Sequence, residues 1–141
     1  MDEPILLVED TDDDAALTID AFEEAGVRTP IVRVRDGQEA LEYLTAKSAN
    51  PTPVALLLDL NMPRMGGLEL LKELQGIESA RQIPVIVMTT SEDDEDRLAA
   101  YDRGAVSFVR KPIDFDEFVR AVKTLGLHWS ASLSVFGTAS F

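Results

Sequence analysis

Cysteine and long apolar runs are missing from this 141-residue chain. Without thiols the chain can form no disulfide framework and no thiolate metal site. Cysteine usage therefore does not indicate whether the protein works in an oxidising or a reducing compartment. No apolar run approaches the roughly 20 residues that a membrane span requires. The first residues, Met-Asp-Glu-Pro, lack the basic segment and the apolar run of a signal peptide. We therefore expect a cytoplasmic protein, and the length predicts one domain with a substantial core.

Positive charge is also scarce, since 13 Lys and Arg residues face 26 Asp and Glu residues and the net charge is −13. Such a chain would repel the phosphates of nucleic acid, and it would repel an anionic lipid surface as well. Its charged and apolar fractions are otherwise those of an ordinary soluble globule. We therefore expect partners that are basic surfaces, metal cations, or surfaces whose contact is mainly apolar.

Short apolar runs alternate with amphipathic segments along the chain. The runs occupy residues 5–8, 31–34, 54–58, 84–88 and 106–109. Between them, apolar residues recur at helical spacing after capping residues such as Asp36 and Asp114. This alternation predicts an α/β fold, a parallel sheet with helices on both faces. Because the first, third and fourth runs are the most continuously apolar, they should lie centrally, which favours the flavodoxin-like, doubly wound order 2-1-3-4-5.

Chemically active side chains stand where several of these runs end. The first run ends at Glu9 and Asp10, the third at Asp59, the fourth at Thr89 and the fifth at Lys111. Because parallel strands end at one edge of the sheet, where open α/β sheets bind ligands, we expect these residues to lie together. Three carboxylates so close repel one another, so either one of them takes up a proton or a cation binds among them.

A hard cation such as Mg²⁺ suits a site that offers oxygen ligands alone, and Mn²⁺ can substitute for it. The backbone carbonyl of Asn61, two residues after Asp59, is a further candidate ligand. The single histidine, His128, stands away from the strand ends, so we do not expect it to bind the metal or to accept a phosphoryl group.

Asp59, Thr89 and Lys111 supply the groups that phosphoryl transfer onto an aspartate requires. The Asp59 carboxylate would attack in line, while the cation and the Lys111 ammonium offset charge on the equatorial oxygens. Each residue also has a plainer interpretation: Asp59 as the cap of a turn, Thr89 as a hydroxyl bonded to backbone, and Lys111 as a solvated lysine. Glu9 and Asp10 alone could be a helix-capping pair. Their joint occurrence at the expected strand ends favours one shared site.

One set of motifs spans about the first 125 residues. Its pieces are Val8-Glu9-Asp10, residues 58–63 with Gly66-Gly67, residues 88–90, Gly104-Ala105 and Lys111-Pro112. Together they resemble the receiver domains of response regulators in two-component signalling. The resemblance implies that a histidine kinase phosphorylates Asp59. It also implies that Mg²⁺ is held by Asp10, Asp59 and the Asn61 carbonyl, with Glu9 assisting through water. Such a phosphoacceptor catalyses its own phosphoryl transfer and slow dephosphorylation and is not a conventional enzyme.

Thr89 and Phe108 match the pair of residues that switches conformation in that family. The resemblance implies that the Thr89 hydroxyl moves to the phosphoryl group while the aromatic ring turns inward, and that Lys111 contacts the phosphate. On its own a phenylalanine on a short strand is usually core. Phe also lacks the hydroxyl of the tyrosine often found at that position, so a readout through that hydroxyl is absent.

A narrower resemblance links the chain to the single-domain response regulators of bacterial phytochromes. The matching pieces are residues 11–14, 34–37, 58–63 and 89–91, and the tail around Leu127-His128-Trp129. After Trp129 the tail departs from that pattern, because no proline stands where those proteins often carry one. This resemblance implies a phytochrome-linked phosphorelay with a bacteriophytochrome as the kinase.

We expect a receiver domain at residues 1–125 and an apolar C-terminal extension at residues 126–141, which is too short for an output domain. Signalling would then rest on protein–protein contact. An exposed apolar tail marks an interaction site, although the last helix could instead run on and pack on its own domain. We predict a homodimer through the fourth helix, the fifth strand, the last helix and the tail. The predicted interface residues are Tyr101, Phe118, Val122, Leu127 and Trp129.

Three other functions match parts of the sequence less well. A phosphatase of the haloacid dehalogenase type also forms an aspartyl phosphate, but Asn61 stands where its general acid would be and no cap domain is evident. A calcium-binding EF-hand loop starting at Asp10 would need Gly and Glu where Ala15 and Ala21 stand. A docking module that kept only the fold would not need the complete set of acids, threonine and lysine.

Overall fold

The structure, a computed structural model, describes residues 3–46, 52–60, 65–78, 80–89, 94–110, 114–129 and 139–140. At residues 94, 108, 110, 125–129 and 139–140 the backbone alone is described. The strands are β1 (Ile5–Val8), β2 (Ile31–Val34), β3 (Ala55–Leu58), β4 (Val85–Thr89), β5 (Ala105–Arg110) and β6 (Ala139–Ser140). The helices are α1 (Asp12–Glu24), α2 (Gly37–Thr45), α3 (Gly67–Gln75), α4 (Asp94–Asp102) and α5 (Phe115–Trp129). None of these helices is long and apolar enough to span a membrane.

The strands form one sheet in the order β2-β1-β3-β4-β5-β6, and each described pair of neighbours is parallel. The first five strands confirm the flavodoxin-like order 2-1-3-4-5. Strand β6 is an addition that the sequence does not predict, because two residues are too few to show strand alternation. It pairs with β5, where Ser107 lies opposite Ala139 and Phe108 opposite Ser140.

Helices cover both faces of the sheet, and successive residues of a strand face opposite layers. On one face α2, α3 and α4 pack over residues such as Leu56 and Leu58. On the other face α1 and α5 pack over residues such as Leu57. Every residue of β1, β3 and β4 is buried, whereas the residues of β2 are half-buried. This difference follows from position, because the central strands are covered on both faces and flanked on both sides.

Helix α2 begins at the capping box that the sequence predicts. The Asp36 side chain accepts a 2.9 Å hydrogen bond from the Glu39 N–H, and the Glu39 side chain accepts one of 2.9 Å from the Arg35 N–H. The glutamate thus reaches one residue further back than in the usual box, where it bonds the N-cap N–H. Helix α5 begins similarly, because the Asp114 side chain accepts a 2.7 Å bond from the Asp116 N–H.

Helix α5 runs through Trp129 and therefore crosses the boundary predicted at residue 125. Phe118 and Val122, two of the predicted interface residues, are only 4% and 1% exposed and pack in the core between α5 and the sheet. For these two residues the interface prediction is wrong. Helical spacing identifies an apolar stripe, but it does not say whether the stripe packs on the chain's own sheet or on a second copy.

Two buried hydroxyls allow a matched test of the core. Ser107 on β5 is fully buried, and its hydroxyl has no hydrogen-bond partner among the described residues. Thr18 on α1 is 2% exposed, and its hydroxyl donates a 2.8 Å bond to the Asp14 carbonyl. We expect Ser107→Ala to raise the free energy of unfolding by about 1 kcal/mol and Thr18→Val to lower it by about 1 kcal/mol, because only Ser107 is buried without compensation. Urea unfolding measures both, and a fall in stability for Ser107→Ala would contradict the expectation.

Candidate functional site

Three carboxylates meet at the carboxyl end of the sheet. Glu9 and Asp10 directly follow β1, and Asp59 directly follows β3. These strands are neighbours with Val8 opposite Leu58, and the Asp59 N–H donates a 3.2 Å hydrogen bond to the Val8 carbonyl. One carboxylate oxygen from each of the three acids lies within 4.8 Å of the others. The structure therefore brings together the three acids that the sequence nominates as metal ligands.

The acids differ in burial, because Glu9 is 2% exposed whereas Asp10 and Asp59 are half-buried. The Glu9 carboxylate accepts a 3.3 Å hydrogen bond from the Thr11 N–H. Glu9 thus forms the closed side of the cluster, and Asp10 and Asp59 form the side nearer to solvent. A ligand or cation can reach the cluster from the side of the two aspartates.

The donor set fits Mg²⁺. All three side-chain donors are carboxylate oxygens, the ligand type that hard cations prefer. Each Mg–O bond is about 2.1 Å long, so ligands on opposite sides of one ion lie about 4 Å apart. The 4.8 Å limit on the oxygen separations is therefore close to what a single ion needs. Residues that would hold the ion are Glu9, Asp10 and Asp59.

Thr89 lies at the same edge of the sheet. It is the last residue of β4 and is fully buried. In the β3–β4 register Leu58 lies opposite Val87, so Asp59 and Thr89 extend one and two residues beyond this pair. Thr89 itself lies opposite Arg110, the last residue of β5. The fourth and fifth strands therefore end together, beside the strand that carries Asp59.

Some predicted site residues cannot be placed in the same detail. Asn61 and Lys111 lie outside the described residues, although Lys111 directly follows Arg110 in the chain. Phe108 lies on β5 opposite Val87, and its side chain is not described. The metal contact of the Asn61 carbonyl, the phosphate contact of Lys111 and the switch pair of Thr89 and Phe108 therefore stay predictions.

The start of α3 packs so closely on Asp59 and Leu60 that one of its positions accepts only glycine. A Cβ atom built on Gly67 would lie 2.7 Å from both the Asp59 carbonyl oxygen and the Leu60 Cα. A Cβ atom on Gly66 would meet only the Leu60 carbonyl oxygen, at 3.4 Å. The Gly67 N–H also donates a 3.0 Å hydrogen bond to the Leu60 carbonyl. The start of α3 thus rests directly on the backbone that carries Asp59.

Arg33 on β2 also contacts this region, although the sequence does not reveal it. Its Nε donates a 2.8 Å hydrogen bond to the Glu9 carbonyl, and its Nη1 donates one of 2.8 Å to Asp12 Oδ1. Arg35 contacts the same Asp12 oxygen at 3.1 Å. The hydrogen bond from Arg33 and the charge of Arg35 hold the pKa of Asp12 below its ordinary value. A sequence signal exists, since a charged residue interrupts the apolar run of β2, but edge strands often carry such residues.

Comparison with known proteins identifies the family. A family model described as response regulator receiver domain matches residues 5–123. The probable methanogenesis regulatory protein FilR2 of Methanothrix harundinacea is 39% identical over 127 residues, which are 89% of this chain and 82% of that protein.

Two solved structures are also similar. The phosphorylated cyanobacterial phytochrome response regulator RcpA superimposes with a TM-score of 0.82 at 31% identity, over 94% of this chain and 96% of that one. The Mn²⁺-bound form of the response regulator Rcp1, a Synechocystis protein, gives a TM-score of 0.80 at 28% identity, over 92% and 96%.

Alanine at Gly66 and at Gly67 tests how the start of α3 supports the acidic cluster. We expect Gly67→Ala to lower the free energy of unfolding by about 1–3 kcal/mol, because the added methyl group displaces backbone. The same displacement should weaken Mg²⁺ binding several-fold, as measured by isothermal titration calorimetry. Gly66→Ala is the control and should cost less than about 1 kcal/mol, since it forgoes only the better N-cap. Equal effects of the two substitutions would contradict the role assigned to Gly67.

Proposed function

This chain belongs to the response regulator receiver family, and on that premise we propose that it is a stand-alone response regulator that accepts a phosphoryl group from a histidine kinase on Asp59. The observation that carries the proposal is the convergence of Glu9, Asp10 and Asp59 within 4.8 Å at the carboxyl end of the sheet. Thr89 ends the adjacent strand at the same edge. The transfer would be Mg²⁺-dependent, with Mn²⁺ as a substitute.

Asp59 is the nucleophile in this mechanism. One of its carboxylate oxygens bonds to phosphorus as the P–N bond of the kinase phosphohistidine breaks, and the leaving imidazole takes up a proton. The backbone of Asp59 is held by its bond to the Val8 carbonyl and by the packing of Gly67 against it. A fixed nucleophile of this kind lowers the barrier by orientation, which is the main contribution a protein makes to phosphoryl transfer.

The surrounding side chains manage charge. Glu9 and Asp10 together with Asp59 would hold Mg²⁺, which when bound supplies positive charge against the phosphoryl oxygens. The Thr89 hydroxyl would donate a hydrogen bond to one phosphoryl oxygen, and the Lys111 ammonium would contact another. Because Asn61 offers an amide where aspartyl phosphatases place a general acid, hydrolysis would be slow. The chain would then be a phosphoacceptor that catalyses its own transfer and slow dephosphorylation, not a conventional enzyme.

A phytochrome-linked phosphorelay is the pathway we propose. RcpA, a cyanobacterial phytochrome response regulator, superimposes on 94% of this chain. The kinase would then be a bacteriophytochrome, and the location cytoplasmic. Output would pass through protein contact, because neither nucleic acid nor membrane is an expected partner of a chain with a net charge of −13.

A homodimer remains part of the proposal in a revised form. On α4, Leu98 is 67% exposed and Tyr101 is half-buried, with the Arg97 guanidinium 6.0 Å from the Tyr101 ring centre. These side chains, together with Leu127 and Trp129 at the end of α5, could meet a second copy. Phe118 and Val122 would only anchor α5 to the sheet, because they are core residues on the opposite face from α4.

Phosphorylation is tested by incubating the protein with acetyl phosphate and Mg²⁺ and measuring its intact mass. We expect one added phosphoryl group on the native chain and none on Asp59→Asn. Asp13→Asn is the matched control, because Asp13 is an exposed acid of the first turn of α1 outside the cluster, and it should be phosphorylated normally. A phosphoryl group that persists in Asp59→Asn would overturn the proposal.

The acidic cluster makes a second prediction, concerning stability. In EDTA, Asp10→Asn should raise the free energy of unfolding by about 1 kcal/mol, because one of three mutually repelling charges is removed. Adding Mg²⁺ should stabilise the native protein by mass action, and it should stabilise Asp10→Asn much less. Thermal unfolding with and without Mg²⁺ measures both effects, again with Asp13→Asn as control. If Mg²⁺ did not change the unfolding temperature of the native protein, the result would count against a metal site at these acids.

A further inference from the structure

We propose that Arg33 is a positioning residue that holds the segment 9–12 in the shape that divalent-cation binding needs. The inference rests on the proposed function of the acidic cluster, and it adds a residue that neither the family motifs nor the metal ligands include. Arg33 lies on β2, opposite Leu7 of β1, with its side chain 20% exposed. It therefore reaches the acidic cluster from the neighbouring edge strand.

The guanidinium of Arg33 forms hydrogen bonds at both ends of the segment 9–12. Nε donates a 2.8 Å hydrogen bond to the backbone carbonyl of Glu9, and Nη1 donates one of 2.8 Å to the Asp12 carboxylate. Asp10, a predicted metal ligand, lies between these two anchor points in the chain. A single planar group with fixed donor directions thus spans the turn from β1 into α1.

Other bonds complete the hold on Glu9. Its N–H donates a 3.0 Å hydrogen bond to the Val34 carbonyl, and its carboxylate accepts one of 3.3 Å from the Thr11 N–H. The bond from Arg33 adds a third fixed point, at the Glu9 carbonyl. Fixing it presets the direction in which the chain leaves β1, and hence the position of the Asp10 carboxylate.

The position of the guanidinium is not set by its own hydrogen-bonding needs alone. Nη2 of Arg33 is buried and has no hydrogen-bond partner among the described residues. A buried donor left unpaired is costly, so the bonds to Glu9 and Asp12 hold the guanidinium in place against that cost. This is the pattern expected of a residue that fixes the geometry of another group.

Geometry and charge predict opposite effects when Arg33 is removed. A positive charge near a cation site weakens cation binding, so on charge alone its loss would tighten Mg²⁺ binding. Loss of a residue that orients metal ligands typically weakens affinity by about 10–100-fold. Arg35 separates the two effects, since it contacts the same Asp12 oxygen at 3.1 Å, is 57% exposed, and has no described bond to Glu9.

Titration calorimetry with Mg²⁺ on the full chain tests the inference without any phosphorylation step. We expect Arg33→Ala to weaken binding by about tenfold, and Arg35→Ala to leave it within about twofold or slightly tighter. Asp12→Asn affects only the exposed contact between Arg33 Nη1 and the Asp12 carboxylate, so it should weaken Mg²⁺ binding by about threefold or less. Arg33→Lys keeps the charge but offers one amine in place of the fork, so it should resemble Arg33→Ala.

Hydrogen exchange in metal-free protein gives a second readout. The amides of Glu9 and Thr11, which bond the Val34 carbonyl and the Glu9 carboxylate, should exchange faster in Arg33→Ala than in Arg35→Ala, while amides of the buried β3 and β4 stay unchanged. Native Mg²⁺ affinity in Arg33→Ala, or native affinity in Arg33→Lys with loss in Arg33→Ala, would overturn the positioning role. Failure of Asp59 phosphorylation in a chain that binds Mg²⁺ would instead count against the proposed function and leave this test intact.

Discussion

Mutual repulsion among Glu9, Asp10 and Asp59 is the constraint on which the carboxyl end of the sheet depends. Three acids held within 4.8 Å of one another cost free energy that the rest of the fold must supply. The central strands provide this stabilising free energy, because β1, β3 and β4 are buried along their whole length. A rigid, apolar sheet can hold charges together where a flexible loop would let them separate.

Three supports around the cluster act on the backbone. Gly67 packs on the Asp59 carbonyl, the Val8 carbonyl bonds the Asp59 N–H, and the Arg33 guanidinium bonds the Glu9 carbonyl. Contacts of this kind fix where the acids emerge from the sheet while leaving Asp10 and Asp59 half-buried. An acid that must bind a cation and attack phosphorus needs a fixed position, which support at the backbone provides.

The sequence predicts the sheet order and the meeting of the three acids, because both follow from patterns that are local in the chain. Runs of apolar residues locate the strands, and the strand ends locate Glu9, Asp10, Asp59 and Thr89. What the sequence does not reveal depends on contacts between distant segments. Arg33 bonds a carbonyl 24 residues away in the chain, and no local sequence pattern predicts a contact between such distant residues.

The assignment of Phe118 and Val122 fails for a related reason, because a helix with an apolar stripe can pack on its own sheet or on a partner. The glycine pair after Asp59 shows an intermediate case. The dipeptide is visible in the sequence as a turn signal, but only the structure distinguishes Gly67, which has no room for a side chain, from Gly66, which has.

Strand β6 gives the two margins of the sheet different accessibility. Along β5, the backbone at Ser107 and Phe108 is already paired with Ala139 and Ser140 of the same chain. A strand from any other molecule would have to displace a segment whose covalent tether keeps it at high effective concentration, whereas no such competitor is described along β2. Strand β6 thus acts as a built-in competitor for the β5 margin, and removing it would open that margin to intermolecular strand pairing.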